Sequence, residues 1–163
     1  MEYSSCPTDL VRASASVVWD LLTNPAGWGE FFDIRITRLC PEGPAAVGQK
    51  IYGETGPSIL HLKVEFEVRK IDPEQYRLDL AIRLPFRLAV QETVNCIPAG
   101  PDQCRVVYHC DFSLPPGRLG RLTRLALHRQ IDAGPADSLR RLKLAAQKVY
   151  AIRRPPPAES LQN

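Results

Sequence analysis

From residue 60 to residue 84 the chain alternates apolar and polar side chains with little interruption. Leu60, Leu62, Val64, Phe66 and Val68 are separated by His61, Lys63, Glu65 and Glu67, nine residues in strict alternation, with Arg69 continuing the polar set. A period of two predicts a β-strand with one buried and one solvated face. After DPEQ the pattern returns in Leu78, Leu80, Ile82 and Leu84. Pairing Asp72 with Tyr76 makes a hairpin whose even-numbered residues share one face. FRLAVQETVNCI resumes the pattern after Pro85, PAGPDQ turns, and CRVVYHCDFSL returns; IRITRLC and GQKIYGE, separated by PEGPAAV, are shorter strands upstream. The prediction is a meander of consecutive antiparallel strands.

On either side of this meander the period lengthens. In ASVVWDLL, Val18, Leu21 and Leu22 lie at helical spacing and Trp19 widens the stripe; Ser14 is placed to cap the helix and Asn24-Pro25 to end it. AGWGEFF reads as a second short helix or turn, weak alone because of its two glycines and so dependent on packing. Beyond Pro115-Pro116-Gly117 the chain reads as helical to about Ile152, with Leu139, Leu142, Ala145, Ala146, Val149 and Tyr150 along one stripe. Gly134-Pro135 predicts a kink or break there, since proline removes a helical hydrogen bond and collides with the preceding turn. Residues 155–163 read as a disordered tail after a single domain spanning 1–154.

A curved sheet with one apolar face needs a cover, and the last helix is the remaining amphipathic element. The resulting α+β order, with two short helices before the sheet and a long C-terminal helix that the sheet wraps around, resembles the helix-grip fold of the START/Bet v 1-like superfamily. More narrowly it is similar to the polyketide cyclase/dehydrase and lipid-transport (SRPBCC) family. The likeness is carried by VRASASVVWDLLTNPAGWGEFF, by GPAAVGQKI leading into a strand, and by DSLRRLKLAAQ in the closing helix, and it spans residues 5 to 152. One departure is Pro135, in a helix that the family usually keeps continuous.

The resemblance implies a cavity between the sheet's concave face and the long helix, holding a lipid, quinone or aromatic polyketide. The even phase then supplies its lining, including Leu62, Val64, Phe66, Leu80, Ile82, Val90, Val94 and Phe112, with Leu142 from the helix. Trp28 and Phe32 stand at the entrance the family places beside the second short helix; Trp19 and Leu22 lock the first helix onto the core. The implied roles are a cofactor-free cyclase or aromatase, a non-catalytic lipid or quinone carrier, or a protein-interaction module of the co-chaperone activator type.

Two polar residues share the even phase. A symmetric hairpin about IPAGPDQ sets Glu92 opposite Tyr108, Val94 opposite Val106 and Cys96 opposite Cys104. A carboxyl in an apolar wall is costly unless hydrogen-bonded, and burial raises its pKa. Glu92 is therefore a candidate general acid or base and Tyr108 a candidate donor to a carbonyl, the alternative being a structural Glu–Tyr hydrogen bond. His61 and His109 fall in the outward phase and His128 on the basic helix. No H-x-x-x-H or C-x-x-C occurs, so no metal is expected. No nucleophile elbow, phosphate loop or dinucleotide motif is present, and no cofactor is expected.

Composition changes this picture in two places. Of 163 residues 44% are hydrophobic and 24% charged, ordinary values for a globular domain. The five cysteines lack framework spacing and, with neither an export signal in the first ten residues nor an apolar run of membrane-spanning length, read as reduced thiols of a cytoplasmic protein. The net charge of +3 is uneven: Arg118 to Arg154 carries 10 Lys/Arg against 2 Asp/Glu, leaving 11 against 16 elsewhere. That +8 segment is either the solvated face of a helix or a surface for anionic membrane. Nucleic acid is not expected, because no aromatic stacking run accompanies the charge. The pattern gives no oligomeric state.

Overall fold

The computed structural model describes residues 2–55 and 61–153. Leu60, the first residue of the alternating run, and the predicted tail at 155–163 lie outside the described residues. Among the described residues eight strands form one antiparallel, curved sheet: β1 (Glu2–Ser5), β2 (Thr8–Val11), β3 (Arg35–Cys40), β4 (Lys50–Thr55), β5 (Leu62–Asp72), β6 (Arg77–Leu84), β7 (Leu88–Gly100) and β8 (Gln103–Ser113). From β3 to β8 the strands pair in sequence order, as the meander predicts, and β1 and β2 both return to the far side of β8.

Period two survives in the packing. Leu62, Val64, Phe66 and Val68 of β5 are buried, as are Leu78, Leu80 and Ile82 of β6, Val90 and Val94 of β7, and Val106, Tyr108 and Phe112 of β8. Registers near the turns differ from expectation. Asp72 pairs with Arg77 rather than Tyr76, and Tyr76 takes a left-handed φ of 48° in a four-residue turn. A bulge between Val68 and Lys70 absorbs the extra residue, so Phe66 still lies opposite Ile82. In the β7–β8 hairpin the tight turn is Pro101-Asp102, with Gly100 opposite Gln103, and the register shifts between Pro98 and Gly100. Glu92 therefore faces Cys110, Val94 faces Tyr108 and Cys96 faces Val106, two residues away from the symmetric prediction.

Helix α1 (Ala15–Leu22) begins at Ser14, but the Ser14 hydroxyl bonds Ser16 Oγ at 2.9 Å and makes no cap. Ser14 still opens the helix through its carbonyl, which accepts from the Val17 and Val18 amides. The predicted second helix is a 3₁₀ segment, Pro25–Glu30. The C-terminal helical region is three pieces: α2 (Gly117–Ala126), α3 (His128–Asp132) and α4 (Gly134–Arg153). Pro135 sits in the first turn of α4, where its missing N–H costs no hydrogen bond, so it starts that helix instead of kinking it. The bends lie just upstream, at Leu127 and Ala133.

Leu139, Leu142 and Ala146 of α4 are buried against the sheet and α1. Part of the +8 charge is matched by carboxylates elsewhere in the fold, and one further arginine pairs within its own helix. Lys143 pairs with Asp9 at 2.8 Å, Arg153 with Asp20 at 2.7 Å, Arg140 with Asp137 at 3.5 Å and Arg141 with Asp33 at 3.9 Å. The acidic body and basic helix thus answer each other, although such exposed pairs contribute only about 0–1 kcal/mol each. Among the described residues no helix is long and apolar enough to cross a membrane.

Candidate functional site

A cavity of about 550 Å³ lies between the concave sheet face and the α2–α3–α4 junction. That volume falls within the range typical of small-molecule sites. Its sheet wall is formed by Leu62, Val64 and Phe66 of β5, Ile82 and Leu84 of β6, Val90 and Glu92 of β7, and Tyr108 and Phe112 of β8. The opposite wall comes from Leu127 through Arg129, Gly134, Pro135 and Ser138, and charged Asp33, Asp137 and Arg141 also border it. Ile34 completes the side wall, against Gly53 of β4, where a Cβ would come within 2.5 Å of the Ile34 side chain.

Most of the predicted lining is gathered here: Phe32, Leu62, Val64, Phe66, Ile82, Val90 and Phe112, with both Glu92 and Tyr108. Leu80, Val94 and Leu142 are not; they are buried core beside the cavity. Sharing a face with lining residues did not bring them to it, because the cavity covers only part of the concave surface. Trp28 is also absent from the wall. It is 0% exposed, donates its indole N–H to the Leu22 carbonyl at 3.0 Å, and packs edge-on against Phe32 and Phe66. An indole that pins the 3₁₀ segment to the end of α1 cannot stand at an entrance. Of the two predicted entrance rings it is Phe32 that reaches the cavity, with the lining rings Phe66 and Tyr108 tilted beside it at 5.9 and 6.2 Å between ring centres.

Glu92 and Tyr108 meet diagonally across β7 and β8. The Tyr108 hydroxyl donates to Glu92 Oε2 at 2.7 Å, and the Cys110 thiol bonds the same carboxyl. Loss of hydration raises the Glu92 pKa from 4.5 to about 7, with the bonds from Tyr108 and Cys110 opposing part of that rise. Burial, and secondarily the neighbouring carboxylate, pushes the Tyr108 phenol well above its ordinary value, so it remains a donor. Burial raises the Cys110 thiol too. The trio is a carboxyl that exchanges its proton near neutrality, flanked by two groups that keep theirs.

Sequence reasoning missed the opposite wall. His128, Arg129, Ser138 and Arg141 lie in helices whose faces could not be assigned before the bends were known. Arg38 and Tyr52 stack on each other at 4.3 Å and do not border the cavity. Among the described residues no three His, Cys, Asp or Glu side chains cluster so as to hold a metal ion.

The family described as "Polyketide cyclase / dehydrase and lipid transport" matches residues 8–147. No curated protein matches the chain. Several solved structures are similar in fold. Norcoclaurine synthase from Thalictrum flavum, in complex with dopamine and hydroxybenzaldehyde, superposes with a TM-score of 0.67 at 15% identity, covering 95% of this chain and 90% of that one. The Zhui aromatase/cyclase from Streptomyces sp. R1128 superposes with a TM-score of 0.70 at 14% identity, covering 94% and 99%. A protein of unknown function from Staphylococcus aureus does so with a TM-score of 0.70 at 9% identity, covering 91% and 96%. At such identities the likeness establishes a common fold, the helix-grip arrangement read from the order of elements.

Proposed function

The chain belongs to the polyketide cyclase/dehydrase and lipid transport family, and on that premise we propose that its cavity takes a hydrophobic, carbonyl-bearing small molecule of aromatic polyketide type. We assign to Glu92 and Tyr108 a cofactor-free proton transfer on that ligand. The observation that carries the reading is Glu92 itself, set among apolar side chains and bonded to Tyr108 at 2.7 Å. A wall that only needed filling would accept leucine there, whereas a carboxyl costs desolvation. A pKa raised to about 7 leaves comparable amounts of acid and base near neutrality, where proton transfer is most efficient.

In this reading the Glu92 carboxylate removes a proton from the methylene between two ligand carbonyls. Negative charge moves to a carbonyl oxygen, and the Tyr108 O–H, released by the now protonated carboxyl, donates to it. The enolate carbon attacks a second carbonyl of the same chain, forming the C–C bond, and Glu92 returns its proton to the resulting alkoxide. The apolar walls hold the chain folded for that attack, a contribution of orientation. Five free cysteines fit the reducing cytoplasm that this reading assumes. A non-catalytic lipid or quinone carrier is the second reading, favoured by the exposed leucines of α2 treated below.

Benzoylacetone, a hydrophobic β-diketone, is a suitable probe. The protein is expected to accelerate deuterium exchange at its methylene, with a rate that rises with pH and levels off above about 7. Glu92→Gln loses about 100-fold or more and Tyr108→Phe about 100-fold, while both still take up anilinonaphthalene sulfonate. Equal exchange by wild type and Glu92→Gln, with the dye bound by both, leaves only the carrier.

A further inference from the structure

We propose that α2 is a membrane-docking surface that seats the cavity on an anionic lipid bilayer. The helix is attached by one side only. A Cβ at Gly120 would fall 2.0 Å from the Pro115 carbonyl oxygen, so α2 lies directly on that backbone. Thr123 is buried, and Arg124 reaches inward to stack on the Tyr3 ring at 4.3 Å and to pair with Asp132 at 2.8 Å. The other side is apolar and open: Leu122 is 63% and Leu125 72% exposed, with Leu119 at 43%. A helix in a folded protein ordinarily turns its leucines to the core, and contiguous leucines left outside mark an interaction site.

The charges beside those leucines select the partner. Arg118 and Arg121, each directly preceding one of those leucines, are exposed, and Arg129 follows one turn beyond. No Asp or Glu occurs between Asp111 and Asp132, a stretch that carries four arginines. On α4 Arg141, Lys143 and Arg153 are matched to carboxylates of the body, whereas Arg118, Arg121 and Arg129 make no ion pair among the described residues. Interleaved arginine and leucine suit an interface where headgroups are anionic and acyl chains lie just beneath. Nucleic acid would satisfy the arginines and leave the leucines wet; a second copy would set like charges against each other.

The position of α2 gives docking a consequence. Ala126, at its end, borders the cavity, as do Leu127, His128 and Arg129. Another border residue, Leu84, leads into Phe86, which is 52% exposed with a left-handed φ of 61°, followed by Arg87 at 58°. That conformation is strained for a bulky residue, and it leaves an apolar ring in solvent with an arginine beside it. Two apolar projections, each with arginine alongside, thus adjoin the same cavity. Docking is independent of the proton-transfer reading, and its test uses no activity.

The test is sedimentation of the full chain with phosphatidylcholine vesicles, with and without about one third phosphatidylglycerol, at about 0.1 M and about 0.5 M salt. Binding is expected to the anionic vesicles alone and to weaken with salt. Arg118→Gln/Arg121→Gln should weaken it about 25-fold, since each surface cation contributes about fivefold. Leu122→Ser/Leu125→Ser should weaken it at least about tenfold. All four positions are exposed, so melting temperature and dye uptake stay at wild-type values. Arg140→Gln/Lys148→Gln, on α4, leaves vesicle binding unchanged. No binding to phosphatidylglycerol vesicles overturns the proposal. So does loss with the arginine change alone while the leucine change is silent, the signature of a general polyanion site. Lipid-free dimerisation abolished by the leucine change overturns it in favour of a second copy.

Discussion

Replacing Glu92 by Gln removes a titrating group while keeping the shape of the side chain and an oxygen to accept from Tyr108. The wild-type carboxyl has a pKa near 7 in the folded protein against 4.5 when unfolded. The folded state then binds the proton more tightly, so the group's contribution to stability is fully present below the unfolded value and lost as pH rises through the folded one. At 1.36 kcal/mol per pH unit the whole span is about 3 kcal/mol, and between about pH 5 and about pH 8 roughly 2 to 3 kcal/mol of it should be visible. Asp9, Asp72 and Asp111 have the opposite sign, their pKa values lowered by hydrogen bonds, and they act below about pH 4. Those terms are shared by both proteins and cancel in the difference between wild type and Glu92→Gln. Urea unfolding at several pH values should therefore show the variant gaining on wild type as pH rises, reaching about 2 to 3 kcal/mol by about pH 8. In thermal melts that corresponds to roughly 5–10 °C for a chain of this size. Parallel stability curves from about pH 5 to about pH 8 would refute the reasoning, because an unshifted carboxyl is a hydrated one and Glu92 would then not be in the wall.

Trp28→Phe removes the donor to the Leu22 carbonyl and should cost about 2 kcal/mol with dye affinity unchanged, whereas Phe32→Ala should weaken dye binding measured by fluorescence titration. Gly120→Ala drives a methyl into the Pro115 carbonyl and should cost about 1–3 kcal/mol in melting experiments; Gly134→Ala, with nothing within 4 Å of the new carbon, should be neutral or slightly stabilising. Of the five thiols, exposed Cys6 and Cys40 should react with Ellman's reagent at once. Cys96, Cys104 and Cys110 should wait for denaturant, since burial raises all three, Cys104 to about 11.

The strand faces were readable from sequence, and the site was reached through a register that was wrong. The symmetric hairpin set Glu92 opposite Tyr108, while the actual neighbours are Cys110 for Glu92 and Val94 for Tyr108. The error is two residues, and a period-two element returns the same face after two. Glu92 and Tyr108 therefore stay on the concave side and meet on the diagonal. An error of one residue would have separated them to opposite faces. Trp28 shows the limit of that reasoning: in a 3₁₀ segment of six residues no period is long enough to assign a face. Its direction was decided by one indole hydrogen bond to a carbonyl six residues away.

The helices beyond residue 116 were harder to read for a reason visible in RLGRLTRLAL. Leucine and arginine recur there every three residues, and an α-helix turns about 100° per residue, so each repeat falls about 60° short of a full turn. Leu119, Leu122 and Leu125 therefore spread over about 120° and cannot share one narrow buried stripe. The same drift carries Arg124 round to Tyr3 while Arg118 and Arg121 stay in solvent. In α4 the buried positions Pro135, Leu139, Leu142 and Ala146 step by four, three and four, which follows the turn and holds one face to the core. The basic residues of the two helices thus have different fates. On α4 several of them reach over to carboxylates of the body, whereas on α2 a three-residue repeat strands arginine among exposed leucines. A segment selected only to cover the sheet would have no need of that repeat; one that must also face lipid would.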